Sequence, residues 1–189
     1  MPYHHGDLRR VLLATALAAI AEHGPAALSL RDVARRASVS HAAPAHHFGD
    51  KAGLLTAIAT EGFDRLAEAL RDAHGDGFLE VGVAYVGFAT DHPAHFAVMY
   101  RPDLYHADDD ALRVARDSAG ASLHGGVGAL PDGRAGEDPG TTALAAWSLV
   151  HGLATLWLSG SLPEVPTEDP RTLARAVARV LFAHPTPPP

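Results

Sequence analysis

Three side chains able to meet a base edge fall within one short run, namely Ser40, His41 and His46. Hydroxyl and imidazole groups donate hydrogen bonds, and Ala42 beside them is a small residue that lets a helix end enter a major groove. The chain has no cysteine, which excludes disulfides, thiolate zinc sites and cysteine nucleophiles. The adjacent pairs His4-His5 and His46-His47 point ~100° apart on a helix, and neither has an acid or third histidine at i+3 or i+4 to complete a metal site. His92 and His95 share a face and could join His151 around a metal, but a helix start and its cap account for that pair more simply. No metal and no cofactor are expected.

A second group is apolar and adaptable: Phe88, Phe96, Met99, Tyr100, Trp147, His151 and Leu153. Aromatic and thioether surface with few polar groups suits a pocket that orients a small apolar or amphipathic molecule through one or two hydrogen bonds. His151 lies in an apolar stretch and must find a partner, either in the core or in such a pocket. Ser159-Gly160-Ser161 lacks the strand-turn-helix setting of a nucleophile elbow, and the glycines after His124 lack the Gly-Lys-Ser/Thr ending of a phosphate loop. No acid/base or nucleophile set appears, so an enzyme is the weakest reading.

The charge is divided along the 189 residues. The net is −7, yet the first 51 residues hold six Lys/Arg against four acids and six of the thirteen histidines. That division predicts an N-terminal module able to meet phosphate and an acidic body that is not. The start MPYHHGDLRR has no secretory pattern, so a cytoplasmic protein is expected. From Pro139 to Pro163 no residue is formally charged, but seven Ser, Thr and His residues and acidic flanks argue for a helix buried on most sides within protein instead of a membrane span.

These residues must be positioned by helices. Leu12, Leu13, Ala16, Leu17 and Ile20 mark one face of a first helix that stops at Gly24-Pro25. Ser29 with Asp32 reads as the N-cap of a second, about 30–37, and Ser40 as the N-cap of a third reaching His47. A long helix over 51–73 follows, then helices at about 78–90, 93–101, 108–123, 141–159 and 170–183. No window alternates in the manner of a hairpin, so the fold class is all-α. The glycine-rich piece over 125–140 reads as a loop and 185–189 as a disordered tail.

Three short helices with a tight turn at Ser38-Val39 have the layout of a helix-turn-helix reader. Leu30, Val33 and Ala34 face inward, Val39 fills the gap, and Ser40, His41, Ala42 and His46 face outward. The run LSLRDVARRASVSHAAPAHHFGDKAGLL, Leu28 to Leu55, resembles the signature of the TetR/AcrR family of bacterial transcriptional regulators. YHHGDLRRVLL and WSLVHG resemble its branch with a Trp-His-Gly (WHG) pattern in the regulatory domain.

The resemblance implies phosphate contacts from Ser29, His47 and Lys51 and groove contacts from Ser40, His41, Ala42 and His46. Phe48 would pack beneath the module. Two departures stand out: Ala45 where family members usually carry an aromatic residue, and Ser38 where they often carry glycine. The expected organisation is a helix-turn-helix module over 1–50 and a helical-bundle domain for ligand binding and dimerisation over 51–184. The expected function is a ligand-responsive repressor that binds a palindromic double-stranded DNA operator as a homodimer. A helical DNA-binding or interaction protein without an effector is the alternative.

Overall fold

The structure is a computed structural model, described here for residues 5–125, 138–165 and 167–182. Among the described residues it is helical without strands: α1 (His5–His23), α2 (Leu30–Arg36), α3 (Ala43–Phe48), α4 (Lys51–Ala73), α5 (Phe78–Asp91), α6 (Pro93–Met99), α7 (Asp110–Gly125), α8 (Pro139–Leu158) and α9 (Pro170–Phe182). Single 3-10 turns at Pro25–Ala27 and His74–Asp76 follow α1 and α4, which the periodicity alone does not reveal. The expected tail and most of the glycine-rich loop lie outside the described residues.

The chain packs as two compact units, 5–64 with 92–117 and 65–91 with 118–182 within the described residues. In the first, Leu12, Ala16, Val33, Ala34, Leu54 and Ile58 are fully buried, so the apolar faces of α1, α2 and α4 meet in one core. Gly62 lets α6 approach α4, because a Cβ there would stand 3.2 Å from the His95 Cβ and 2.6 Å from the Met99 sulfur. The buried Tyr105 hydroxyl donates to the Met99 carbonyl (2.8 Å), satisfying one of the carbonyls that the end of α6 leaves open.

In the second unit α5 packs on both α8 and α9. Arg175 grips Glu80 through two hydrogen bonds of 2.8 and 2.7 Å and holds its carboxyl below the usual carboxylate range. The Arg171 guanidinium lies flat on Gly87, where a Cβ would come within 2.7 Å of its Nε, and continues to Asp91. The α8 helix is covered by its own chain on only part of its surface. Only 28% of its most apolar window is buried within the chain, and Leu144, Leu156 and Leu158 are exposed. By length and composition this helix could also cross a bilayer. Burial on most sides required more neighbours than α5 and α9 supply.

A tight corner joins α3 to α4. Gly49 turns the chain at φ 76°, the Asp50 carboxylate accepts the Gly53 N–H (2.7 Å), and a Cβ on Gly53 would lie 2.0 Å from the Phe48 carbonyl oxygen. Because that obstacle is backbone, Gly53→Ala must move the corner. We expect a loss of roughly 1–3 kcal/mol, read as a lower urea midpoint at unchanged m-value. An unaltered midpoint would mean that the corner relaxes freely.

Candidate nucleic-acid interface

Helix α2 begins as the sequence predicts. The Ser29 Oγ accepts the Asp32 N–H at 3.1 Å, and Asp32 then binds Arg35 and Arg36, both at 2.6 Å. Those two guanidinium groups, Arg35 foremost, hold the Asp32 carboxyl below its usual range. Arg36 also reaches Glu22 of α1 (2.8 Å), which ties α2 to its neighbour.

The turn after α2 has the two bonds of a Schellman ending, Val39 N–H to the Ala34 carbonyl (3.0 Å) and Ser38 N–H to the Arg35 carbonyl (3.2 Å). Ser38 is held at φ 56°, the left-handed position that this ending reserves for glycine. The departure noted in the sequence is therefore a serine in a conformation that costs about 1 kcal/mol.

The third helix corrects one expectation. Ser40 is not its N-cap. Ser40 contributes its backbone carbonyl to Ala43 N–H (3.0 Å), the cap position is Ala42 without a side-chain bond, and α3 starts at Ala43. Pro44 explains the shift, since proline lacks an N–H and belongs in a helix's first turn. The result is a short helix held by packing and not by a cap.

Ser40, His41, Ala42, Ala45 and His46 are all exposed at this edge, while Pro44 is buried beneath it. His47 is half-buried and its ring meets those of His46 (5.6 Å) and Phe48 (6.2 Å). The Arg9 guanidinium sits 5.3 Å from the centre of the Phe48 ring. Lys51 opens α4 and donates to the Ala26 carbonyl at 2.7 Å, leaving further donors on the same ammonium. Ser29, by contrast, uses its oxygen as a helix cap. Arg9 and Asp50 were not singled out by motif; their positions follow from the α3–α4 corner.

The other predicted set divides between the units. Phe96 and Met99 are buried in the first, where Phe96 and Phe63 both contact the Tyr100 ring (5.2 and 5.7 Å). Phe88 and Leu153 are buried in the second, with Trp147 and His151 half-buried.

The partner that His151 needs is Tyr85 of α5, whose hydroxyl lies 2.9 Å from Nδ1. Trp147 Nε1–H donates to the same oxygen at 3.2 Å. Indole can only donate, so the Tyr85 oxygen accepts from Trp147, and the His151 tautomer sets which atom donates in the Tyr85–His151 bond. The sequence did signal this residue. A tyrosine on the apolar α5 must bring its hydroxyl to a bond, and Tyr85 is 1% exposed.

Comparisons with known proteins agree with this geometry. The family described as "Bacterial regulatory proteins, tetR family" matches residues 12–58, and "Tetracyclin repressor-like, C-terminal domain" matches 78–181. A solved structure of a protein of unknown function from Rhodococcus sp. RHA1 is 35% identical, with a TM-score of 0.77 over 96% of this chain and 97% of that one. A tetR-family regulatory protein from Rhodococcus RHA1 shares the fold at 22% identity and a TM-score of 0.73, over 93% of this chain and 95% of that one.

Among curated proteins, an HTH-type transcriptional regulator of Mycobacterium tuberculosis is 28% identical over 99 residues, 47% of this chain. An HTH-type transcriptional repressor of that organism is 40% identical over 58 residues, 31% of this chain. The matches span 42% and 31% of those relatives' own lengths.

Burial pushes the His151 imidazole below its ordinary value. The unfolded chain therefore takes up a proton that the folded chain resists, and stability falls as pH drops through about 6.5 toward the folded value. We expect a lower Tm at about pH 5.5 than at about pH 7.5, with the difference reduced in His151→Gln. Equal acid sensitivity in both proteins would assign the effect to other groups.

Proposed function

The chain belongs to the TetR family of bacterial regulatory proteins, and from that premise we propose that it is a cytoplasmic transcriptional regulator, a ligand-responsive repressor that reads a near-palindromic operator. The observation that carries this reading is the outer edge of α3. Ser40, His41, Ala42 and His46 stand exposed together on a short helix braced from behind by α1 and α2. A major groove ~12 Å wide admits such a helix, and these side chains can meet base edges from its N-terminal end. Ser29, His47 and Lys51 flank the edge and are proposed to hold phosphates, which fix register without reading sequence.

We assign base reading to about 1–50 and regulation to 51–184, with α4 as the continuous link between them. An effector can release DNA only by as much as it prefers one setting of that link over the other. Of the residues expected to meet it, Phe88, Trp147, His151 and Leu153 belong to the second unit and are the ones proposed here, whereas Phe96, Met99 and Tyr100 belong to the first. The Tyr85–His151–Trp147 cluster supplies the polar group that would orient an apolar or amphipathic molecule. The same Trp147 and His151-Gly152 support placement in the Trp-His-Gly branch.

We propose that α8 and α9 carry homodimerisation. Leu144, Ser148, Gly152 and Leu156 form one outward stripe on α8, and Val180 of α9 is 81% exposed. We read this surface as the contact with a second copy, in a two-fold four-helix arrangement, and not as a membrane contact.

Two measurements test the reading. Lys51→Ala and His47→Gln should weaken binding to every duplex and flatten its salt dependence, whereas His41→Ala and His46→Ala should change base preference. Equal losses on selected and random duplexes from all four would remove the assignment. Light scattering at micromolar concentration should give a dimer, and Leu144→Glu with Leu156→Glu should give a folded monomer. A wild-type monomer, or a double variant that stays dimeric, would refute the proposed contact.

A further inference from the structure

One part of the first unit comes from a distant stretch of chain. Residues 92–117 pack with 5–64, although they lie within the region assigned above to regulation. Between α6 and α7 this segment meets the first turns of α4 at His106, and it does so twice. The His106 backbone N–H donates to the Thr56 Oγ (3.0 Å), a buried hydroxyl that donates in turn to the Ala52 carbonyl (2.8 Å). The His106 ring places Nε2 3.3 Å from Oδ1 of Asp50. The segment around it supports itself: the Tyr105 hydroxyl is bonded to the Met99 carbonyl, the Asp109 N–H donates to the His106 carbonyl (3.2 Å), and the Asp109 carboxylate caps the Leu112 N–H (2.9 Å). The backbone of His106 is therefore fixed, and the contact that can change is the one made by its ring.

The same Asp50 oxygen accepts the Gly53 N–H at 2.7 Å. A single atom thus joins the cap of α4 to the ring of His106. The Asp50 carboxyl is held below its usual range, by the Gly53 N–H first and by the His106 ring among the smaller causes. It keeps its charge while a histidine changes its own, between about pH 5 and 8. A protonated ring offers this oxygen a charged donor. A neutral ring offers an uncharged N–H, or turns a lone pair toward it, and both hold it less firmly.

The other titratable and charged groups around the ring are Arg9 of α1, His47 of α3, Glu61 and Asp64 of α4, and Asp109 with Asp108 of its own segment. Glu61 lies 3.5 Å from His95 Nε2, Asp109 caps α7, and Arg9 sits over the Phe48 ring. Among the described residues, Asp50 is the carboxylate at ion-pair distance from His106.

We propose that His106 is a positioning residue for the reading edge, acting through Asp50: its ring sets how firmly the α3–α4 corner is held, and with it the placement of His46 and His47 at the end of α3. It acts on base reading without touching the duplex. DNA binding then tightens on acidification by an increment that needs both His106 and Asp50. That consequence rests on the proposed DNA reading, while the linkage of His106 to Gly53 through one oxygen does not.

NMR on the full chain tests the linkage without DNA. From about pH 8 to about pH 5.5 the Gly53 amide proton should move in step with the His106 ring, and in His106→Gln that movement should be lost. Affinity for a duplex enriched from a random pool tests the consequence. Because His41, His46 and His47 are present in both proteins, their contribution cancels in the comparison, and the wild type should gain about threefold more over this interval than His106→Gln, the scale of an exposed ion pair. Asp50→Asn keeps an oxygen for the cap but removes the charge, and in that background His106→Gln should alter the pH profile no further. His106→Arg keeps its charge throughout and should flatten the profile without loss of affinity. A Gly53 amide that ignores the His106 titration, equal pH profiles for wild type and His106→Gln, or a His106 effect undiminished in Asp50→Asn would overturn the proposal, provided the chains remain folded by circular dichroism. A wild type that selects no duplex while Gly53 still follows His106 would overturn the DNA reading and leave the linkage supported.

Discussion

The corner between Phe48 and Gly53 sets the terms for most of the first unit. Within six residues the chain ends one helix, turns through a left-handed glycine, caps the next helix with Asp50 and brings a backbone carbonyl against a position that cannot carry a side chain. The Gly53 N–H, more than any other group, keeps the Asp50 carboxyl ionised, and His106 adds to this from the segment before α7. The direction of α4 follows from this turn. So do the hold of Lys51 on the Ala26 carbonyl and the placement of Phe48 under Arg9. The exposed edge of α3 is therefore positioned by backbone geometry at its end and by Pro44 at its start, and its surface side chains are left for contact.

Much of this was legible because helical periodicity reports burial. The apolar spacing in α1, the Ser29–Asp32 cap and the start of α4 at Lys51 all appear where the sequence puts them. The third helix was misplaced for a local reason: a serine before a helical run resembles a cap, but a proline four residues later sets the first turn more firmly. Ser38 was legible only as an unusual residue, and its meaning came from the backbone angle.

The second unit was harder to read because its decisive contacts span long stretches of chain. Tyr85 and His151 are 66 residues apart, and no local pattern pairs them, although each alone demands a partner. The uncharged run of α8 suggested deep burial, yet much of its surface faces outward in the single chain. Composition reports that a face is apolar; it does not report whether the chain itself or a second copy covers it. The two units thus divide the work proposed for them, one presenting donors on a rigid edge and the other holding a buried polar cluster in an apolar frame.

Selection of bound duplexes from a random pool, followed by hydroxyl-radical footprinting of the enriched sequence, tests the central claim most directly. The account predicts an inverted repeat whose half-sites lie about one helical turn or a multiple of it apart, with protection on matching faces of successive major grooves. A pool that yields no common sequence, or a single unrepeated site bound by one copy of the chain, would contradict it.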